Sequence, residues 1–426
     1  MTDADRSPLL REPNFRWMMG GGVVSALGDQ FTMIALPWLV LTLTGDALTL
    51  GLVIALMSVP RAIFMLVGGA LVDRFSPKSV LMLSKYANAA LLAILAALVL
   101  AGQASMPAIY VLAFCLGLSS AFSIPSGTSL LPHVVAPEHV PRANGMMMGM
   151  RQLTMLSGPL LAALVFAVFG DGRGTGPGAA NGLGIAFGFG CFTFLFSAWT
   201  LSRVQARHSP PAATAPVLES IAEGIASVWR DFTLRTCMLY WALCAFVVGG
   251  AMLVALPMLA DTRLQGASAL GLLLGVHGAG TLAGMALTGM RGKIRIGTFG
   301  TTILAADFVS GLLLLPLGLV QSAWQAALLL LLLGAIGGCM QVAVFSSIQG
   351  RVPRQMLGRA MSIFMFIFMG LAPMSAAVTG FLMRYLSLGQ VFMAAGVFLM
   401  LCSAAAWLLT PIRAFADHSP ASGEAV

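Results

Sequence analysis

The ionisable residues Asp29, Arg61, Arg151, His277 and Asp307 stand well inside long apolar runs. A charge in a lipid-embedded helix costs at least about 2.5–3.5 kcal/mol, so each needs a partner or a water-filled recess. The chemistry open to such groups is proton carriage and ion pairing. Asp29 lies about 14 residues, roughly 20 Å, along its run. Arg61 lies about 12 residues, roughly 18 Å, before the polar loop at Asp73. The two reach a similar depth on neighbouring segments and are expected to face each other. Isolated, Asp29 could carry a proton; paired with Arg61, it would stay charged as half of a bridge. Arg151 shares a helical face with Met147 and Met155. Its guanidinium can snorkel toward an aqueous surface or meet an anionic ligand. His277, among Gly275, Gly278 and Gly280, suits either packing or proton handling.

The elements that must position these groups are membrane-length helices. Hydrophobic residues make up 58% of the 426-residue chain and charged residues 9%, where a soluble chain carries roughly a quarter charged. The apolar residues gather into about twelve runs, each near the ~20 residues that cross a bilayer. They fall at 15–42, 49–72, 80–101, 106–131, 144–169, 182–203, 235–260, 267–290, 298–319, 324–350, 359–384 and 387–410. The first is too long for a signal peptide and lacks a cleavage site. An all-α, multi-pass membrane protein follows, with the lipid bilayer as its surroundings.

A net charge of +8 is distributed by topology. Arg16, Arg74, Lys78, Arg142, Arg203, Arg207, Arg291, Lys293, Arg295, Arg351 and Arg354 fall on one side, and Arg173, Arg263 and Arg384 on the other. The positive-inside rule then puts both termini in the cytoplasm of a bacterial-type inner membrane. No basic face interleaves with aromatics, which argues against nucleic acid. The six cysteines lie within apolar runs without a CxxC pair, which suits packing.

The chain also repeats itself. Ala35-Leu36-Pro37 recurs as Ala255-Leu256-Pro257, Leu50-Gly51-Leu52 as Leu270-Gly271-Leu272, and Gly69 as Gly289, each pair 220 residues apart. An even number of helices per copy gives parallel repeats, which rock about a midplane site to give alternating access. The expected domains are 1–203 and 235–426, each a six-helix bundle. Between them, 204–234 is a polar, proline-rich connector ending in an amphipathic helix on the inner surface.

Between the second and third runs lies Gly69-Ala-Leu71-Val-Asp73-Arg74-Phe-Ser-Pro-Lys78. An acid among bases in a short loop reads as a cytoplasmic gate, formed by Gly69, Asp73, Arg74 and Lys78, that pairs in one state and separates in another. Gly69-x-Leu-x-Asp73-Arg74-x-x-x-Lys78 resembles the signature of the major facilitator superfamily, with Ser76 where that family has a second glycine. Ser25-x-x-Gly28-Asp29, Ala35-Leu-Pro-Trp38, Pro353-x5-Arg359-x-x-Ser362 and Gly370-x-x-Pro373 resemble its macrolide-efflux and enterobactin-exporter branch. Gly158-Pro159 is similar to the antiporter motif of the related proton-driven drug exporters, although Leu160-Leu161-Ala162-Ala163 follows where paired glycines would stand. The basic residue that many proton antiporters carry in the fourth helix has no counterpart in 108–131. The resemblance implies that His277 lines a central cavity and that Asp307 lies on a supporting helix outside it.

Further cavity candidates are Gln30, Gln152, Gln341 and Gln349, with Met361, Met365 and Met369 one turn apart. Flexible, polarisable methionines suit a pocket that repacks around varied apolar ligands. His133, Glu138 and His139 lack the spacing of a closed metal site, and no cofactor is expected. The absence of GxxxxGK[ST], HExxH and GxSxG argues against ATP use and hydrolysis. The expectation is a monomeric secondary transporter exporting amphipathic small molecules against protons. An importer or lipid-type flippase on the same fold, an integral-membrane enzyme and a sensor are the alternatives.

Overall fold

The computed structural model describes residues 9–74, 76–172, 181–205, 229, 232–264, 266–291, 297–351 and 371–414. Every regular element among them is helical. In the first part of the chain run α1 (Pro13–Thr44), α2 (Ala47–Arg74), α3 (Pro77–Leu100), α4 (Met106–Ser120), α5 (Ser123–Leu130), α6 (Val140–Phe169) and α7 (Asn181–Arg203). Then follow α8 (Phe232–Gly250), α9 (Leu256–Thr262), α10 (Ala267–Arg291), α11 (Phe299–Leu317), α12 (Ala323–Arg351), α13 (Ala372–Leu382) and α14 (Leu388–Leu409). Among the described residues, 11 helical stretches are long and apolar enough to span a membrane. A shorter apolar helix, Pro373–Leu382, falls within the expected run at 359–384, whose first part lies outside the described residues.

Local sequence accounts for the breaks. Gly45, at φ 62°, caps α1 with its N–H on the Leu41 carbonyl, a conformation that favours glycine. The two Ala-Leu-Pro copies differ: Pro37 sits inside a continuous α1, whereas Pro257 follows a π-helical turn, Ala251–Ala255, joining α8 to α9. Ser387 and Gln390 form a reciprocal capping box at the start of α14.

Packing divides the chain into two units. The first comprises Met1–Gly45, Leu56–Val217 and Gly266–Gly275; the second comprises Asp46–Ala55, Leu218–Gln265 and Val276–Val426. The short segments 46–55 and 266–275 are related by the same 220-residue offset as the sequence repeat.

In the first unit α1 packs on α7 and α6, and α3 on α7. Glycines set the closeness of these crossings. A Cβ at Gly21 would overlap the Thr200 hydroxyl, and one at Gly28 the Thr193 hydroxyl. Gly271 lies against the Pro159 carbonyl. In the second unit Gly51, the repeat partner of Gly271, lies against the Ala376 carbonyl. There α10 and α12 cross through two small-xxx-small pairs: Gly280 and Gly284 meet backbone at Leu331 and Ala335, and Gly334 and Gly338 meet it at His277 and Thr281. Lipid gives helices no hydrophobic reason to associate, so dispersion at such close crossings supplies the attraction.

Candidate functional site

The site is built from the two faces of α1. Gly21, Ser25, Gly28 and Thr32, at helical spacing, are buried toward α7 and α3. The Ser25 hydroxyl donates to the Gly22 carbonyl at 3.1 Å and accepts from Lys85 Nζ of α3 at 2.8 Å. Lys85 is only 8% exposed. Its ammonium also lies 5.0 Å from the centroid of the Phe194 ring of α7, a cation–π distance.

Asp29 is one turn beyond Ser25. It keeps accessible surface although its carboxyl is densely surrounded by protein, the situation of a residue lining a recess. Its carboxylate feels three cations: Lys85 most strongly, then Arg61 of α2, then Arg151 of α6. Arg61 is half-buried and Arg151 exposed. The larger charge influence on Arg151 is the like charge of Arg61, ahead of Asp29.

Two contacts hold α6 beside α1. A Cβ at Gly22 would lie 3.6 Å from the Met147 methyl, and the Gln30 side chain fills the space that a Cβ at Gly158 would need. Arg151 lies between those heights on a helix running parallel to α1, which brings its long side chain toward Asp29. Gly158 of the antiporter-like motif thus makes room for Gln30, and Pro159 is buried within α6.

Of the expected residues, the structure brings Asp29, Arg61 and Arg151 together on the first unit, with Gln30 beside Asp29 on α1 and half-buried Gln152 beside Arg151 on α6. The expected pairing of Asp29 with Arg61 is joined by a stronger neighbour, Lys85, which sequence reasoning missed. Its signal was available: a lysine within an apolar run, with Ser84 and Asn88 beside it. Those two tie α3 to the break between α4 and α5. Ser84 Oγ donates to the Ser119 carbonyl at 2.6 Å, and Asn88 Oδ1 accepts from Ser119 at 2.9 Å and Ser120 at 3.2 Å.

His277 and Asp307 belong to the second unit. Asp307 Oδ2 accepts from the buried Tyr240 hydroxyl at 2.8 Å. Tyr240 was not among the expected residues. His277 Nδ1 lies 3.2 Å from the Leu330 carbonyl at the α10–α12 crossing. Gln341 is exposed on α12. Met361 and Met365 lie outside the described residues, as do the connector at 206–228 and the side chains of Gly69, Asp73 and Arg74. Lys78, at the start of α3, donates to the carbonyls of Ser202 at 3.2 Å and Val204 at 2.7 Å, where α7 ends. A cation there complements the negative end of the helix dipole.

Membrane-length helices in two units, one carrying an ionisable recess, define a multi-pass membrane protein, and its family makes it a transporter rather than an enzyme. The Major Facilitator Superfamily profile matches residues 18–377, and the chain belongs to that family. It is similar to the multidrug efflux pump Tap of Mycolicibacterium fortuitum, 28% identical over 55% of this chain and 56% of that protein. The Tap of Mycobacterium tuberculosis is 27% identical over 50% of each chain. The chain therefore spans about half the length of the Tap pumps it matches. An uncharacterised MFS-type transporter, y4rN of Sinorhizobium fredii, is 25% identical over 83% of this chain and 84% of its own. These names are consistent with the drug-efflux-like branch of the family. Among solved structures, a bacterial homologue of the iron transporter ferroportin superposes with TM-score 0.69 at 18% identity, covering 93% of this chain and 99% of that one. A bacterial homologue of the human lysosomal transporter Spinster gives 0.69 at 15%, covering 97% and 100%. At these identities the superpositions speak for the fold.

Proposed function

We propose that this transporter is a secondary active exporter of amphipathic small molecules, driven by the proton gradient across a bacterial-type inner membrane. The observation that carries the reading is Asp29, a carboxyl in a recess partway along a membrane-length helix, set among Lys85, Arg61 and Arg151. A carboxyl there can exchange a proton, and its charge state alters the field felt by three cations at once. The Tap relatives support efflux of drug-like molecules. A membrane potential of 100 mV supplies about 2.3 kcal/mol per charge moved, enough for useful accumulation. By the distribution of basic residues both termini face the cytoplasm, and the 1–203 and 235–426 bundles rock about the connector at 204–234. Gly69, Asp73, Arg74 and Lys78 gate the cytoplasmic side.

The test is uptake of a dye panel into inside-out vesicles, with and without a protonophore. Accumulation that collapses on uncoupling supports the reading. Accumulation indifferent to the protonophore removes proton drive, and its absence across the panel removes export. Asp29→Asn is expected to abolish accumulation while leaving protein in the membrane at wild-type abundance.

A further inference from the structure

The recess on the first unit holds one carboxylate against three cations. Lys85 is committed: its ammonium is buried, hydrogen-bonded to Ser25 and set against the Phe194 ring, and Asp29 stands one turn beyond Ser25 on α1. That leaves the guanidiniums of Arg61 and Arg151. Neither has a hydrogen-bond or ion-pair partner among the described residues, yet each lies within the other's field and both surround the same carboxylate. Two like charges held close in a recess are unfavourable, and an anion placed between them removes the repulsion. A cation entering the same recess would meet a net positive charge.

The surroundings are apolar. Met148 and Met155 are exposed at i−3 and i+4 of Arg151, and Phe64 is exposed at i+3 of Arg61. Those spacings put them on the arginines' own helical faces. Planar guanidiniums present paired N–H donors that match carboxylate, sulfonate and phosphate oxygens, and the adjacent thioethers and ring suit an apolar body.

We propose that this recess binds the anionic group of an amphipathic molecule, with Arg61 and Arg151 as its ligating guanidiniums and Asp29 as the internal anion that competes for them. This deepens the efflux reading by naming a charge class for the substrate. It rests on that reading only for the direction of movement.

The test is equilibrium binding of two xanthene dyes of similar shape and opposite charge, anionic fluorescein and cationic rhodamine 123. The protein is the full chain in phosphatidylcholine nanodiscs. Fluorescein is expected to bind more tightly than rhodamine 123. Arg61→Gln and Arg151→Gln are each expected to weaken fluorescein by about ten-fold, the worth of one charge-assisted hydrogen bond, without weakening rhodamine 123. Arg151→Lys, which keeps the charge, is expected to retain part of the affinity and so separates loss of charge from misfolding. Asp29→Asn is expected to tighten fluorescein. Equal or tighter binding of rhodamine 123, fluorescein binding undiminished in the double glutamine variant, or no fluorescein binding by wild type overturns the proposal. Repeating the measurement in phosphatidylglycerol nanodiscs identifies the source of the anion. Competition by that lipid marks a headgroup and its absence a soluble amphiphile, and either supports the site. Because no transport is measured, a preference for the cation leaves efflux standing. Anion binding without flux in vesicles overturns efflux alone.

Discussion

Lys85→Met separates a working cation from a structural one. The lysine's place in an apolar helix carries an insertion cost of about 2.5–3.5 kcal/mol. Against this stand a charge-assisted hydrogen bond to Ser25, about 1.5–3 kcal/mol, and a partly desolvated contact with Phe194, about 0.5–2 kcal/mol. The terms cancel to within about 2.5 kcal/mol. Methionine is of similar length, removes the insertion cost and can still pack its thioether on the ring. Ser25 is not orphaned, because its hydroxyl keeps the Gly22 carbonyl at 3.1 Å. The variant should therefore fold with a melting temperature within a few degrees of wild type. Its effect should fall on Asp29, which loses the cation it feels most strongly.

The assays are thermal unfolding in detergent and protonophore-sensitive dye uptake into inside-out vesicles. The expected pair is near-wild-type stability with uptake lost or its pH dependence displaced. A cycle of Lys85→Met with Asp29→Asn should show strong non-additivity, since the second change has little left to remove. Uptake unchanged in Lys85→Met refutes the argument, as does a collapse of stability, which would make Lys85 a structural residue. Ser25→Ala is the converse probe. It leaves the buried ammonium without its hydroxyl and should cost about 1.5–3 kcal/mol.

The architecture was legible because membrane physics writes in long words: apolar runs and a 220-residue repeat. Asp29, Arg61 and Arg151 were legible for the same reason, as charges where lipid penalises them. Lys85 obeys that rule too, but it stands only a few residues into its run, where a lysine reads as one snorkelling to the surface. Only packing shows that it turns inward to Ser25 and Phe194. Tyr240 carried no signal, since a tyrosine in an apolar helix needs no charged partner, and its bond to Asp307 joins residues 67 apart. The glycines at 280, 284, 334 and 338 were visible as residues, but which ones meet a neighbour's backbone depends on helix rotation, which composition does not encode.

The α10–α12 crossing can be probed within one helix. Gly284→Ala places a Cβ on the Ala335 carbonyl and should destabilise by about 1–3 kcal/mol. Gly289→Ala meets open space and should stabilise by up to about 1 kcal/mol; equal effects on thermal unfolding would contradict the crossing. At the start of α2, burial pushes the Asp46 carboxyl up, but bonds from the Thr49 hydroxyl and the Thr49 and Leu48 N–H groups, with the charge of Arg384, hold it below the usual value. A carboxyl lowered on folding stabilises above its unfolded value and loses that contribution as pH falls through its folded one, so the loss should come below about pH 4. Asp46→Asn should flatten the melting temperature against pH in that range, and an unchanged profile would show that Asp46 contributes nothing. Finally, Tyr240→Phe removes the hydroxyl that donates to Asp307 at 2.8 Å. The carboxyl then keeps only the Cys244 thiol, at 4.0 Å, among its hydrogen-bond partners in the described residues, and the loss should be about 1–3 kcal/mol. Adding Asp307→Leu to Tyr240→Phe removes the stranded carboxyl as well, and an apolar pair of similar shape can be as stable as the hydrogen-bonded one. Stability should therefore recover in the double variant, with dye uptake retained if Asp307 only supports the fold. Recovered stability with uptake lost would instead assign Asp307 to the transport cycle.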